Sequence, residues 1–432
     1  MDLTRLDLRG FSGSPADLRA VLPAPTDVQE RSAEAVAGIL ADVRLRGDAS
    51  LRELTVRFDG VDLDELRVPA AEVAAAPARI APEVRAALVT AAERIADYHR
   101  HDLSPDPEPF VSGGVTVRGF WRPVELAGCY APGGRARYPS TVLMCAVPAR
   151  VAGVDEVVLC VPPGPDGRVD DVSLAAAAIA QVDAVFRVGG AQAIGAMAYG
   201  TESVPAVDVI VGPGNRFVAE AKRQVSGVVG VASAFAGPSE VVVVAGPSTP
   251  ARLAAVDLVV QAEHGPDGLA WLVTWSEEVD DEVDRLVAEI VATSPRRDDL
   301  AATLASGGYA VLVDGPAEAI AVSNVVAPEH LELLVEDAVD LLGSVRSAGA
   351  VFLGPTSPAS MGDYLAGPNH VLPTNRTARF ASALRADDFR KHVHAVEVSE
   401  EALATLGPSV AVLADAEGLP AHAASVRWRL GR

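Results

Sequence analysis

The sequence predicts an α/β protein with two doubly wound parallel-sheet domains and small N-terminal and C-terminal arms. Two patterns and one length carry that expectation. Short apolar runs bounded by Gly and Pro recur along the chain. Stretches with helical spacing separate them, and such alternation builds a parallel sheet with helices on both faces. At 432 residues the chain also exceeds what one simple core holds.

Residues 1–23 are short and mixed in character, and read as an arm. From Asp27 to about His101 the pattern is helical. Val36, Ile39, Leu40 and Val43 recur at helix spacing, and residues 81–99 read as a further amphipathic helix, which Pro105, Pro107 and Pro109 end. Runs 157–161, 184–188 and 207–211 read as strands, closed by Pro162-Pro163, Gly189-Gly190 and Gly212-Pro-Gly-Asn215. Residues 174–181, 191–198 and 217–225 read as the helices between and after them. Ligands of such sheets bind at the carboxyl ends of strands, where these Gly-rich turns fall. A second series follows, with strands at 241–244, 271–274, 310–313 and 350–353. Its helices are expected at 252–263, 280–293, 318–324 and directly after Pro328. The resulting domains are 24–125 with 236–385, and 126–235. Residues 386–432 form a C-terminal tail.

Composition narrows the function. Hydrophobic content of 49% with 22% charged residues reads as globular, and a formal charge of -22 argues against nucleic acid or an anionic membrane as partner. No apolar run suits a bilayer span, and the opening Met-Asp-Leu-Thr-Arg lacks a signal peptide's apolar core, so a cytoplasmic protein is expected. Three cysteines without a CxxC pair give no support to a thiolate metal site or disulfide framework. With Lys222 and Lys391 the only lysines, a Schiff-base mechanism is disfavoured.

The chemistry lies with the histidines, four of which stand near carboxylates or amides. These are Gln261-Ala-Glu-His264, Glu329-His330, the segment from Gly362-Asp363-Tyr364 to Asn369-His370, and Glu417…His422. Imidazole beside a carboxylate or amide oxygen suits a zinc site and also proton transfer. Any one pair more often is a capped helix end or a solvated first turn. Four in one chain make a composite active site the leading reading. Gln261 and His264, three apart, project from one helix face. Glu329 and His330 are expected in the first turn of the helix that Pro328 starts, where the macrodipole favours carboxylate and a neutral imidazole base. The 362–374 segment reads as a long glycine-punctuated loop of the kind that carries function. Pro420 is placed at the first position of a final helix, with Glu417 and His422 near its start. Gly189-Gly190 and Gly212-Pro-Gly-Asn215 are turns whose backbone amides suit an anion, a weak signal alone.

The motifs Cys129-Tyr-Ala-Pro-Gly-Gly-Arg-Ala-Arg-Tyr-Pro-Ser140, Val188-Gly-Gly-Ala-Gln-Ala-Ile194, Val211-Gly-Pro-Gly-Asn215, Ala236-Gly-Pro-Ser-Glu240, Gln261-Ala-Glu-His-Gly-Pro-Asp267, Ala327-Pro-Glu-His-Leu-Glu332, Gly362-Asp-Tyr364 and Asn369-His-Val-Leu-Pro-Thr374 stand in one order along the chain. In that order and spacing, and with Glu417…His422, the chain resembles the histidinol dehydrogenase family over nearly its whole length. The resemblance implies incomplete Rossmann-like domains, NAD as cofactor, and oxidation of L-histidinol through the aldehyde to L-histidine with two NAD reduced. It implies one Zn2+ per subunit, held by Gln261, His264, Asp363 and His422, with His422 coming from the partner in a domain-swapped homodimer. Substrate contacts then fall to Ser239, Gln261, His264, His330, Asp363, His370, Glu417 and His422, and NAD contacts to Tyr130, Gln192 and Asn215. Glu329 and His330 are the implied catalytic pair, His330 taking the alcohol proton and Glu329 activating water on the aldehyde.

Two positions depart from the family pattern. Ser233 stands where an aspartate is usual, and Asn375-Arg376 replace a glycine pair. A related dehydrogenase acting on another polar alcohol, and a non-catalytic descendant, remain as alternatives. Glu417…His422 argues against the former and Glu329-His330 against the latter.

Overall fold

The structure is a computed structural model that describes residues 3–23, 32–133, 137–232, 239–263, 265 and 268–431. The chain divides into two compact units: Met1–Asp102 with Glu125–Phe389, and Leu103–Val124 with Arg390–Arg432.

The first unit contains two wholly parallel sheets. One has the order Ala184–Arg187, Glu156–Val161, Leu126–Tyr130, Val209–Val211, Gly230–Val231. The other runs Thr4–Asp7, Gly308–Leu312, Leu269–Thr274, Glu240–Ala245, His330–Leu334, Ala350–Leu353. Numbered along the chain, and leaving aside Thr4–Asp7, both sheets have the order 3-2-1-4-5. That is a Rossmann arrangement lacking its sixth strand, as expected. In each sheet the order reverses between the first and fourth strands, which places a crevice there. The N-terminal segment is an integral edge: Thr4–Asp7 pairs with Gly308–Leu312 through four residues on each side.

The strands form because their residues are apolar on both faces. Glu156–Val161 is buried from Val157 onward, and Glu240–Ala245 is buried throughout. Helices cover them: Ala251–Ala262 packs Ala254, Ala255 and Leu258 on one face of the six-stranded sheet, and Pro316–Val326 packs Ala319, Val322 and Val325 on the other. Burial of this kind is worth about 1.5–3 kcal/mol for each large aliphatic side chain. Among the described residues no helix is long and apolar enough to cross a membrane.

The second unit is a three-stranded antiparallel sheet, ordered Arg390–Val398, Val115–Pro123, Phe110–Ser112, followed by helices Glu400–Ala416 and Pro420–Arg429. The sequence gives no sign of this sheet. Its nine-residue main pairing joins segments far apart in the chain, and Arg390–Val398 has no buried residue to impose an alternation.

Two further expectations are corrected. Residues after Pro328 form not a helix but the strand His330–Leu334. Ala327, at φ +50°, closes the preceding helix by donating its N–H to Ser323 O, and the chain then pairs on both sides. The pattern His-Leu-Glu-Leu has period two, which puts Leu331 and Leu333 on one face and His330 and Glu332 on the other. Asp363 is not in a loop but near the end of the short helix Ala359–Tyr364.

Candidate active site

Three chain segments bring the acid–base groups together. Ser239 immediately precedes the strand Glu240–Ala245, Glu329 and His330 open the neighbouring strand, and Gln261 ends the helix Ala251–Ala262. That helix runs back across the sheet, so all four stand at the amino ends of the strands, at the switch point. This placement is opposite to the carboxyl-end position expected for ligands at the Gly-rich turns of the other sheet. It follows from helix direction: a residue at the end of a returning helix faces the edge from which its strand set out.

Glu329 and His330 are buried, at 9% and 3% exposure. Ser239 Oγ lies 2.5 Å from Glu329 Oε2, and the backbone N–H of Glu240 donates to the same oxygen at 3.2 Å. His330 Nδ1 stands 3.3 Å from Glu240 O and 3.7 Å from Glu329 Oε2, while Nε2 stands 3.7 Å from Asp363 Oδ1. The carbonyl can only accept, so Nδ1 carries the proton of a neutral ring and Nε2 is its basic atom. Burial pulls His330 down, but the Glu329 and Asp363 carboxylates outweigh it and raise the imidazole to about 9. The expected helix start is corrected: the residue is on a strand, and the two carboxylates beside it favour its protonated form.

His370 is placed by its loop. Asn369 Nδ2 donates to Met144 O at 2.6 Å and Asn369 Oδ1 accepts from Val371 N at 2.9 Å. The ring then reaches Asp363 O through Nδ1 at 2.9 Å and Thr141 Oγ1 through Nε2 at 3.3 Å. Desolvation lowers His370, against an upward pull from Asp363.

Gln261 and Asp363 line a small cleft together with His330, Glu332, Asp257, Val241 and Ser360. The Gln261 side chain is buried and its Nε2 has no hydrogen-bond partner, while its Oε1 lies 3.3 Å from Ser239 Oγ. Ser239 has one proton, and the nearer Glu329 oxygen takes it. Turning the Gln261 amide over lets its NH2 donate to Ser239 Oγ and leaves its oxygen uncommitted. An uncommitted amide oxygen beside Asp363 is the donor type a zinc ion takes, so the described part of the donor set fits. His264 lies outside the described residues. Glu417 and His422 belong to the second unit, where both are exposed.

The expected cofactor contacts gather at the carboxyl ends of the five-stranded sheet. Tyr130 is buried, its Oη accepts from Gly190 N at 3.1 Å, and burial pushes its phenol up to about 12. Gln192 is buried with Oε1 lacking a partner. Asn215 Oδ1 caps the helix Arg216–Val225, accepting from Phe217 N and Val218 N at 3.0 and 3.2 Å, which leaves its NH2 outside the cap. Gly212, at φ +108°, admits no side chain: a Cβ would stand 2.0 Å from Tyr130 O. Lys222, wholly buried, donates to Gly212 O and fixes this turn from below.

The three cysteines are buried, and desolvation raises each thiol, Cys145 and Cys160 to about 12. An activated thiolate needs the opposite environment. The sequence reading missed Glu240, Glu332, Asp257 and Thr141. Glu332 was readable, since period two puts it on the face of His330. Glu240 follows Ser239 directly and Asp257 lies one turn before Gln261, whereas Thr141 is near the site only through folding.

A family model described as histidinol dehydrogenase matches residues 23–430. The chain is 44% identical over 430 residues to a histidinol dehydrogenase of Gluconobacter oxydans, covering 99% of each protein. It is 46% identical over 418 residues to that of Neisseria gonorrhoeae, covering 96% of this chain and 97% of the relative. A crystal structure of histidinol dehydrogenase from Elizabethkingia anophelis superimposes with a TM-score of 0.93 at 33% identity, over 99% of this chain and 98% of that one.

Proposed function

The chain belongs to the histidinol dehydrogenase family, and on that premise we propose that it oxidises L-histidinol through the aldehyde to L-histidine, the closing steps of histidine biosynthesis, reducing two NAD. The presence of His330, with Glu329 beside it, in the cleft of Gln261 and Asp363 carries the reading.

Gln261, His264 and Asp363, with His422 supplied by the partner in the dimer, are the residues that would hold zinc. Tyr130, Gln192 and Asn215 would meet NAD, and Ser239, His370 and Glu417 the substrate. Zinc would supply orientation and polarisation of the substrate's amine and imidazole, and NAD the hydride acceptor for each oxidation. His330 Nε2 takes the alcohol proton in the first step, with Nδ1 anchored on Glu240 O so that the ring presents one nitrogen. If Asp363 held a cation, its carboxylate would raise His330 less, which would favour the neutral form a base requires. Glu329, held by Ser239 Oγ and Glu240 N, has its carboxylate fixed beside the same carbon and removes a proton from the water that adds to the aldehyde.

A domain-swapped homodimer completes the proposal. The second unit supports it with large apolar side chains in solvent, including Val396, Val412, Leu413 and Trp428, the last 78% exposed. Such residues in a small unit suit cover by a second copy. The deciding experiment counts NADH formed per L-histidinol at completion, with zinc supplied and then chelated. Two NADH with zinc and almost none after chelation support the proposal. One NADH confines the chain to a single oxidation, and none from a folded, zinc-loaded protein rules the substrate out.

A further inference from the structure

Glu332 is wholly buried, two residues after His330 on the same face of one strand, and no step above uses it. A buried carboxyl is tolerated only when its oxygens are engaged. Oε1 of Glu332 accepts a 2.7 Å hydrogen bond from the backbone N–H of Ala359, the first residue of the helix Ala359–Tyr364. That helix starts after Pro358, whose side chain supplies no cap. The acceptor its first turn needs therefore comes from a strand. Four residues on, the same helix presents Asp363.

The second oxygen of Glu332 leads elsewhere. It has no hydrogen-bond partner of good geometry, and the Asp257 carboxyl is its neighbour. Asp257 lies on the helix Ala251–Ala262, one turn before Gln261, so the two share a helix face. Asp257, Gln261, Glu332, His330 and Asp363 all line the one cleft. Burial raises both carboxyls, and Asp257 raises Glu332 further, so a proton on Glu332 can bridge to Asp257.

We propose that Glu332, with Asp257, is a positioning residue that ties the helix bearing Gln261 and the short helix bearing Asp363 to the strand bearing His330. It touches neither substrate nor metal and acts through the ligands' placement. The inference rests on the reading of Gln261 and Asp363 as metal ligands.

The test uses the full chain in three variants, Glu332→Leu, Glu332→Gln and Asp257→Leu, with two readouts besides turnover. Amide hydrogen exchange over residues 359–364 reads the strut itself, and zinc release to a chelator reads ligand placement. Glu332→Leu is expected to speed exchange in that helix at least about tenfold and zinc release by about 10–100-fold. It raises KM for histidinol more than it lowers kcat. Glu332→Gln is expected to bring both readouts back to within about threefold of wild type, because the amide still accepts from Ala359 and can donate to Asp257. Asp257→Leu, at a half-buried position, is expected to speed zinc release while exchange over 359–364 stays as in wild type. Wild-type exchange and zinc release in Glu332→Leu overturn the proposal, as does Glu332→Gln releasing zinc as fast as Glu332→Leu. If Glu332→Leu does not fold, wild-type zinc release in Asp257→Leu overturns it. A wild-type protein that binds no zinc defeats the functional reading instead, and the exchange comparison still decides the strut.

Discussion

His99 offers a test of the structure that does not involve turnover. It is 0% exposed near the end of the helix Pro82–Asp102, and neither ring nitrogen has a hydrogen-bond partner. Tyr98 meets the ring edge-on at 5.3 Å. Desolvation is the largest influence and lowers the imidazole from 6.5 to about 4; Asp102 pulls upward and Arg385 downward. The unfolded chain therefore binds a proton near pH 6.5 and the folded chain near 4. Stability from a neutral His99 is fully present above pH 6.5 and is lost as pH falls through that window. At 1.36 kcal/mol per pH unit, the loss is at most about 3 kcal/mol. In a chain of this size that corresponds to roughly 3 °C in melting temperature. His99→Phe keeps the ring's shape and removes the titration. Melting of wild type and variant is compared from pH 7.5 to 4, at fixed protein and zinc concentration. The variant is expected to gain about 3 °C on wild type across that range, most of it between pH 6.5 and 4. A difference that does not change with pH refutes the reasoning. The same helix end holds the site segment, since Arg94 Nε donates to Leu365 O, so faster exchange near residue 365 in acid wild type is a companion result.

Other expectations are more direct. His330→Asn removes the basic Nε2 and should slow the first oxidation about 10²–10⁴-fold in single-turnover NADH traces. Glu329→Gln should mainly slow oxidation of supplied aldehyde, and equal slowing of both steps would end the division of labour. Replacing Cys129, Cys145 and Cys160 with alanine should leave much of the turnover, because each is buried with its thiol raised; complete loss in a folded protein would point to a covalent thiol intermediate in the second oxidation. Gly212→Ala should weaken NAD binding, measured by fluorescence titration, and cost more than about 1 kcal/mol of stability, since it combines positive φ with a clash against Tyr130 O. Wild-type NAD affinity in that variant would detach the turn from the cofactor.

Much of the fold was legible because local periodicity is a short-range property. The run 157–161 is apolar at every position, and the structure makes it the buried part of a central parallel strand. Residues 81–99 repeat at helix spacing and lie within Pro82–Asp102. Misreading occurred where two short-range signals competed. Pro328 is a good helix start, but Ala327 closes one helix and the period of two beyond it wins, because the new strand fills the gap between Glu240–Ala245 and Ala350–Leu353. Asn375 and Arg376, where a glycine pair is usual, adopt φ of +55° and +62°. Each pays the left-handed cost that glycine avoids.

The sequence by itself determined which chemical groups are available and the period of each element. Acids, amides and imidazoles are fixed by composition, and neighbours a few residues apart set helix or strand. Only the tertiary structure decided which of those groups meet. It put Ser239, Gln261, Glu329 and His330 at the amino edge of a sheet, and buried the Glu332 carboxyl behind His330. It also gave His330 two carboxylates within 3.7 Å and so a raised affinity for its proton. Charge interactions depend on distances between atoms whose residues lie far apart in the chain, and on the water that packing removes from between them.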